Sequence, residues 1–428
     1  MMAEALLILS ILVLGYTYVG YPLILRGVCA LRLPRPLPSP ADAVKAVSAV
    51  VCVRNAEQRV AAKIENLRSQ CGLPGDYEII VASDGSTDGT VAAAREAAEA
   101  GSRKSEEAKD TGGERCGASA LPSGITDQGS KIAHPASGIR DPASDPSGPR
   151  VRVIEFREHR GKAAVLNDVI PQCRGEVVVL TDVRQELALD AIQNLCRRLA
   201  DPAIGAVSGE LVFKRRPAEG SSAEGVDSYW RYEKAIRKME SCVDSTCGCT
   251  GAIYAIRRSL YRPIHPDTVL DDVAIPMRIL MQGKRIVFEE AAKAYDEPSS
   301  DLALENRRKI RTLAGNFQLF AMYGELLNPL RNRIWIQFVS HKLLRLFCPW
   351  FLLLCLGTSG ALALNQPWAA GLFQLQLLFY GLAAGGMALQ RRRAPRVLSV
   401  PAAFVSLNWA AALGTFRYLR GNLSGRWD

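Results

Sequence analysis

Three stretches of this 428-residue chain carry no charge: residues 5–25, 347–390 and 397–416. A helix needs about 20 consecutive apolar residues to cross a hydrocarbon core of about 30 Å. The first and third stretches each meet that length, and the second exceeds it twofold. Between and around them the chain is rich in Arg, Lys, Asp and Glu, so the mean hydropathy of +0.03 averages two unlike populations. That pattern excludes a single soluble domain, and it equally excludes a chain that is mostly membrane.

Glu4 precedes the first stretch, and Arg26, Arg32 and Arg35 come after it. A cleaved leader would need a basic front and a small-residue cleavage site. The segment 1–30 therefore reads as a membrane anchor, with the residues after it on the cytoplasmic side by the positive-inside rule. The long stretch breaks at Asn365-Gln366-Pro367 into a helical hairpin, and Arg391–Arg393 with Arg396 then falls inside. About three helices are expected over 347–416. The last would leave Arg417, Arg420 and Arg426 outside, so either it does not fully cross or the charge rule does not hold there. Ahead of the hairpin, Arg333, Gln337, His341 and Arg345 recur every four residues among Ile334, Trp335, Phe338, Val339 and Leu343. That is the pattern of an interfacial amphipathic helix over 331–346, or of the buried start of the next span.

The eleven cysteines form no repeated framework. Cys242, Cys247 and Cys249 lie closest together, but no partner pair or His at zinc-ligand spacing accompanies them. A reduced, cytosol-facing domain without metal or disulfide at these cysteines is expected.

In the charged middle, apolar runs alternate with helical patterns. Val47–Val53, Glu78–Ala82, Val151–Phe156 and Glu176–Thr181 read as strands, and Glu57–Gln70, a segment from Thr90 and Lys162–Ile170 as helices. Such alternation signals an α/β fold with a mostly parallel sheet, whose ligands bind beyond the carboxyl ends of its strands. Residues 101–150, dominated by Gly, Ser, Pro, Ala and charge, have too little apolar surface to offset their ordering entropy. They are expected to be a disordered insertion without chemistry.

The strand ends carry Arg54-Asn55, Ser83-Asp84-Gly85-Ser86-Thr87-Asp88-Gly89-Thr90, Gly161-Lys162 before Leu166-Asn167-Asp168, and Leu180-Thr181-Asp182. Thr250–Arg258, Leu270-Asp271-Asp272 and the basic run 306–312 come next. In this order they resemble the family-2 glycosyltransferases over about residues 45–320. The flanking spans suit the membrane-bound branch that makes cellulose, hyaluronan and poly-N-acetylglucosamine. The resemblance implies a GT-A-type, Rossmann-like nucleotide-sugar domain flanked by transmembrane helices, in the plasma or inner membrane with the catalytic domain cytoplasmic. It implies an inverting transfer from a nucleoside-diphosphate sugar, UDP-linked by expectation, to a glycan or lipid acceptor for polysaccharide or glycolipid synthesis.

The resemblance also distributes roles. Asp84 would meet the nucleobase and ribose, and Arg54 would bind substrate. Lys162 would face the donor diphosphate from a helix start, unless it is a solvated surface lysine. Asp182 would hold Mg²⁺ or Mn²⁺. Asp272 would be the base, with Asp271 raising its pKa or orienting it, unless the pair merely caps the next helix. Arg311 would bind phosphate. The sequence departs from the family at Arg184, where a second metal-binding Asp is usual, and at Arg308 and Thr312, where Gln and Trp are usual. Arg184 either pairs with phosphate or is an ion-paired surface residue, so metal dependence is open. The missing Trp weakens the case for a processive synthase. These departures motivate an alternative, a non-catalytic nucleotide-sugar-binding subunit of a membrane complex. The net charge of +10 is assigned to membrane flanks and phosphate-handling residues rather than to nucleic acid, since the basic residues are not interleaved with aromatics.

Overall fold

The computed structural model describes residues 1–32, 44–110, 149–214, 222–297, 302–389 and 395–421, with 423 and 425. Its elements in chain order are α1 (Met2–Gly15), a π turn (Tyr16–Gly20), α2 (Tyr21–Ala30), β1 (Ala46–Val53), α3 (Glu57–Arg68), β2 (Asp76–Asp84) and α4 (Thr90–Asp110). Next come β3 (Arg150–Phe156), α5 (Lys162–Val169), β4 (Val177–Thr181), β5 (Glu186–Leu187), α6 (Ala191–Leu199), β6 (Ile204–Phe213), α7 (Ser222–Val243) and β7 (Ile253–Arg257). The chain continues through α8 (Asp271–Leu280), β8 (Arg285–Asp296) and α9 (Leu302–Met322). It ends with α10 (Trp335–Phe338), a second π turn (Val339–Leu343), α11 (Leu344–Ala363), α12 (Pro367–Ala388) and α13 (Arg396–Leu419).

The eight strands form one mixed sheet in the order β3-β2-β1-β4-β7-β6-β8-β5. β3, β2, β1 and β4 pair in parallel, whereas β7 runs antiparallel to both β4 and β6. Side chains of β1 alternate between two cores, as a strand period of two requires. Val47, Ala49, Val51 and Val53 face α3 and α6, while Val50 and Cys52 join the side chains of α5 and α8. Both faces of the sheet are therefore covered, which is why its strands read as nearly continuous apolar runs. The insertion expected over 101–150 falls mostly outside the described residues: α4 runs to Asp110 and β3 begins at Arg150.

Four segments are long and apolar enough to cross a membrane by length and composition: Met2–Ala30, Trp335–Ala363, Pro367–Ala388 and Arg396–Leu419. At one end of this bundle Gln366 Nε2 donates to Glu4 Oε1 at 2.6 Å. At the other end, next to the sheet domain, the Tyr21 hydroxyl donates to Glu240 of α7 at 2.6 Å, and the Tyr16 and Ser340 hydroxyls meet at 2.7 Å. The polar stripe of Gln337, His341 and Arg345 lies on one continuous helix, and α7 covers it. His341 meets Glu233 and Glu240, Arg345 meets Glu233 at 2.6 Å, and Gln337 Nε2 donates to the Glu240 carbonyl at 3.3 Å.

α13 begins where α12 ends, with the Leu398 carbonyl against Gly386, and it ends on the sheet domain. There Gly414 packs on Ala314, and Tyr418 stacks on Phe317 of α9 with ring centroids 5.7 Å apart. Both ends of α13 thus pack at the sheet-domain end of the bundle. Arg417 and Arg420 accordingly lie at the same end of the bundle as Arg396.

Labelling checks the arrangement. In membrane vesicles, Arg420→Cys should react with an impermeant maleimide from the same side as native Cys71 of the sheet domain, and Gln366→Cys from the opposite side. Reaction of Arg420→Cys together with Gln366→Cys would show that α13 crosses.

Candidate active site

The turn after β2 begins with Asp84, which is fully buried. Its Oδ1 accepts from the Arg160 N–H at 2.7 Å, and its Oδ2 from the Gly161 N–H at 2.9 Å. The same Oδ2 lies 2.8 Å from His159 Nδ1. Asp84 therefore clamps the loop 159–161, and the expected contact with nucleobase and ribose would fall to a carboxylate already holding three neighbours. Gly85 lets the two loops close: its φ is +61°, and a Cβ there would sit 2.5 Å from the His159 nitrogen. Asn55, at φ +47°, ties the end of β1 to this turn by accepting from the Thr87 N–H at 2.9 Å. Arg54 beside it is half-buried.

The clamped loop ends in Gly161, at φ +94°, and releases Lys162 as the first residue of α5. Lys162 Nζ lies 2.9 Å from Asp182 Oδ1, just past β4, and 3.2 Å from Asp271 Oδ2, at the start of α8. Burial works against the ammonium charge, but Asp182 and Asp271 outweigh it and hold the Lys162 pKa well above the ordinary lysine value.

Asp272 is fixed through its neighbours. Its Oδ2 accepts from the Gly251 N–H at 2.9 Å, and its carbonyl from the Cys249 N–H at 2.8 Å. Burial, and next the charge of Asp271, push its pKa up to about 6, with Lys162 partly opposing. A Cβ at Gly251 would lie 3.4 Å from Asp272 Oδ2 and 3.7 Å from Asp182 Oδ2, so glycine leaves the space beside both carboxylates open. The group offers a cation, a carboxylate poised near neutrality and two further carboxylates at the ends of different elements, which is the chemistry of moving a proton beside a departing anion.

Arg184 points elsewhere. Its guanidinium pairs with Asp296 at 2.7 Å, and Gln185 Nε2 donates to the same carboxylate oxygen at 3.0 Å. Asp296 is buried, so Arg184 balances an interior charge while remaining about a third exposed. Arg308 is exposed nearby: its pKa is lowered by partial burial and then by the like charge of Arg184. Arg311 is half-buried on α9. Beneath the loop after β4, buried Lys63 donates to Thr181 Oγ1 at 3.0 Å and to the Gln185 carbonyl at 2.6 Å, and burial pushes its pKa down to about 7.

Lys162, Asp182, Asp271 and Asp272 are thus brought together, Asp84 sits one loop away, and Arg184 is committed to Asp296. Sequence reasoning missed His159, Lys63 and Asp296, and gave Gly251 only as part of the run Thr250–Arg258. His159 stands two residues ahead of Gly161-Lys162, a signal available in the chain. Lys63 on a helix reads as solvated surface, and nothing in the chain betrays its burial.

Residues 48–109 match the family described as Glycosyl transferase family 2, and residues 185–385 match Glycosyl transferase family group 2. The chain carries family-2 glycosyltransferase domains. An N-acetylglucosaminyltransferase of Azorhizobium caulinodans is 22% identical over 208 residues, which cover 46% of this chain and 52% of that protein. An N-acetylglucosaminyltransferase of Rhizobium sp. strain N33 is 30% identical over 111 residues, 26% of this chain and 25% of that protein. The chain spans about half or less of the length of these curated relatives. A mannosyltransferase from Pyrobaculum calidifontis, solved in complex with GDP-Man and Mn²⁺, has a TM-score of 0.63 at 21% identity, covering 97% of this chain and 99% of that one. The glycosyltransferase domain accordingly has the expected GT-A-type fold, flanked by long apolar helices.

The pH–rate profile of nucleotide-sugar turnover tests the Asp272 environment. Asp272 must be deprotonated to accept a proton, so kcat/KM should rise with pH through about 6. Asp271→Asn removes the adjacent negative charge and should move that limb to lower pH; an unmoved limb would separate it from the pair.

Proposed function

We propose that this protein is a membrane-embedded, inverting glycosyltransferase that uses a nucleoside-diphosphate sugar, specifically UDP-linked N-acetylglucosamine, and a glycan or lipid acceptor. The observation that carries the reading is Asp272, a carboxylate lifted toward neutrality beside the Lys162 ammonium and its two acidic partners. The names of the two rhizobial relatives support the choice of sugar. The flanking apolar helices support a membrane setting, and the charge bias around them supports a cytoplasmic catalytic domain in the inner membrane.

In the proposed reaction the acceptor hydroxyl attacks the anomeric carbon as Asp272 takes its proton. The bond from that carbon to the diphosphate oxygen breaks on the opposite face, and its electron pair leaves with the nucleoside diphosphate. One displacement inverts the anomeric configuration and yields a β-linkage from an α-linked donor. Lys162 offsets the charge that accumulates on the leaving oxygens, aided by the N-terminal end of α5. Arg54 and Arg311 are the further substrate-facing cations in this reading, Arg184 steadies the loop after β4 through Asp296, and Asp84 presents Lys162 and His159 by holding their loop.

The site suits a divalent cation with one protein carboxylate. Asp182 Oδ2 borders the open space at Gly251, and hard cations accept carboxylate and phosphate oxygens together. Asp182 would hold Mg²⁺ or Mn²⁺ with the donor's own phosphates, and the ion would draw charge from the departing diphosphate. The Mn²⁺ and GDP-Man of the mannosyltransferase with the same fold support a metal-assisted site.

Asp272→Asn should lower transfer by roughly 10²–10⁴-fold while donor binding persists, as loss of a general base predicts. Full turnover in that variant would remove Asp272 from the role. A screen of UDP- and GDP-sugars checks the donor: transfer from GDP-mannose alone would overturn the UDP-N-acetylglucosamine assignment. Asp182→Ala should weaken donor binding in Mn²⁺ more than in chelator, as measured by calorimetry; equal loss in both would remove the metal role. The binding-subunit alternative rests on Arg184, Arg308 and Thr312, and it predicts donor binding without hydrolysis or transfer in any divalent cation.

A further inference from the structure

A second polar group lies outside this site, where α7, the loop after it and the helix Trp335–Ala363 meet. Glu240, Cys247 and His341 place a carboxylate oxygen, a sulfur and a ring nitrogen within 4.8 Å of one another, and it is the one such group among the described residues. All three are buried, with exposures of 0%, 3% and 5%. The contacts converge on one atom: Glu240 Oε1 lies 2.8 Å from His341 Nδ1, 3.7 Å from Cys247 Sγ and 2.6 Å from the Tyr21 hydroxyl. Glu240 Oε2, equally buried, has no hydrogen-bond partner.

A carboxylate withdrawn from water needs compensating charge and filled acceptor positions. Glu233, about two helical turns earlier on α7, is served by Arg345 at 2.6 Å and Arg237 at 3.7 Å. Glu240 has no ion pair with Arg or Lys among the described residues. His341 is the shared neighbour, and its other nitrogen, Nε2, lies 2.8 Å from Glu233 Oε1. That is the arrangement in which a metal-bound histidine donates its remote N–H to a carboxylate, fixing ring and tautomer. His341 also sits in a single π turn, a local widening of the helix that redirects a side chain and is frequent at functional sites.

We propose that Glu240, Cys247 and His341 bind a structural zinc ion. The set is of zinc type, one thiolate, one imidazole and one carboxylate. Its charges close: the divalent ion, the Cys247 thiolate and the Glu240 carboxylate sum to zero, which suits a site removed from water. On binding, the Cys247 thiol gives up its proton to solvent and the ion takes the place of the hydrogens between the three ligand atoms. The fourth position falls to Glu240 Oε2 or to a water held by Tyr21. The ion would tie the helix Trp335–Ala363 to α7 and to the loop after it, and it would pin the loop whose Cys249 and Gly251 N–H groups hold Asp272. The absence of a spaced Cys or His pair, which argued against a metal from the sequence, does not apply to ligands brought together across about a hundred residues.

The test uses the full chain, extracted in detergent and purified without chelator or metal-affinity resin. Elemental analysis should find about one zinc per chain, as a preformed buried site predicts. Exchange with Co²⁺ should produce a sulfur-to-cobalt charge-transfer band that survives Cys71→Ser and is lost in Cys247→Ser. Folded protein with no stoichiometric metal would overturn the proposal, and so would a cobalt spectrum without a thiolate band in the unaltered chain. Neither outcome bears on transfer by Asp272, so the two readings stand or fall apart.

Discussion

One ammonium group organises the centre of this molecule. Lys162 Nζ touches Asp182 after β4 and Asp271 at the start of α8, two elements about ninety residues apart in sequence. Without a cation there, three carboxylates would crowd one partly buried volume, and their repulsion would press the loops apart or force protonation. Everything that places Lys162 is therefore part of the site: the left-handed Gly161 before it, the Asp84 clamp on its loop, and Gly85, which admits that loop. Lys162 partly offsets the upward shift of Asp272, so the same ammonium both gathers the acids and tempers that shift.

The residues that could be read from the chain alone share a property. Gly161-Lys162, Asp182 and Asp271-Asp272 stand where strands end or helices begin, so local pattern locates them, and the resemblance to a known family supplies their order. The strands were equally legible because both faces of the sheet are covered and their apolar runs are nearly unbroken. What was not legible depends on distant partners. Arg184 could face phosphate or protein, and its pairing with Asp296 depends on a partner that arrives from the far end of β8. Lys63 looks like a surface lysine until the loop after β4 folds over it. The stripe of Gln337, His341 and Arg345 suits a membrane surface as well as it suits the acidic face of α7, and sequence periodicity does not distinguish the two.

That face of α7 couples the two halves of the protein. Glu233 and Glu240 lie about two turns apart and pair with His341 and Arg345 of the helix Trp335–Ala363, while Arg237 backs Glu233 from within α7. Desolvation raises the energy of each charge, while His341 and Arg345 hold the Glu233 carboxyl well below its usual range. The balance makes the junction strict: parting the helices from the sheet domain would expose apolar surface and strand charges at once. The loop after α7 then carries the constraint on to Gly251 and so to Asp272.

The return of α13 fixes a parity. Met2–Ala30, Trp335–Ala363 and Pro367–Ala388 run between the two ends of the bundle, whereas α13 comes back to the end it started from, with Tyr418 against Phe317. Three traverses put the beginning of α1 and the end of α13 at opposite ends of the bundle. The two ends of the bundle are therefore unlike, one beside the sheet domain and one beside the turn at Gln366.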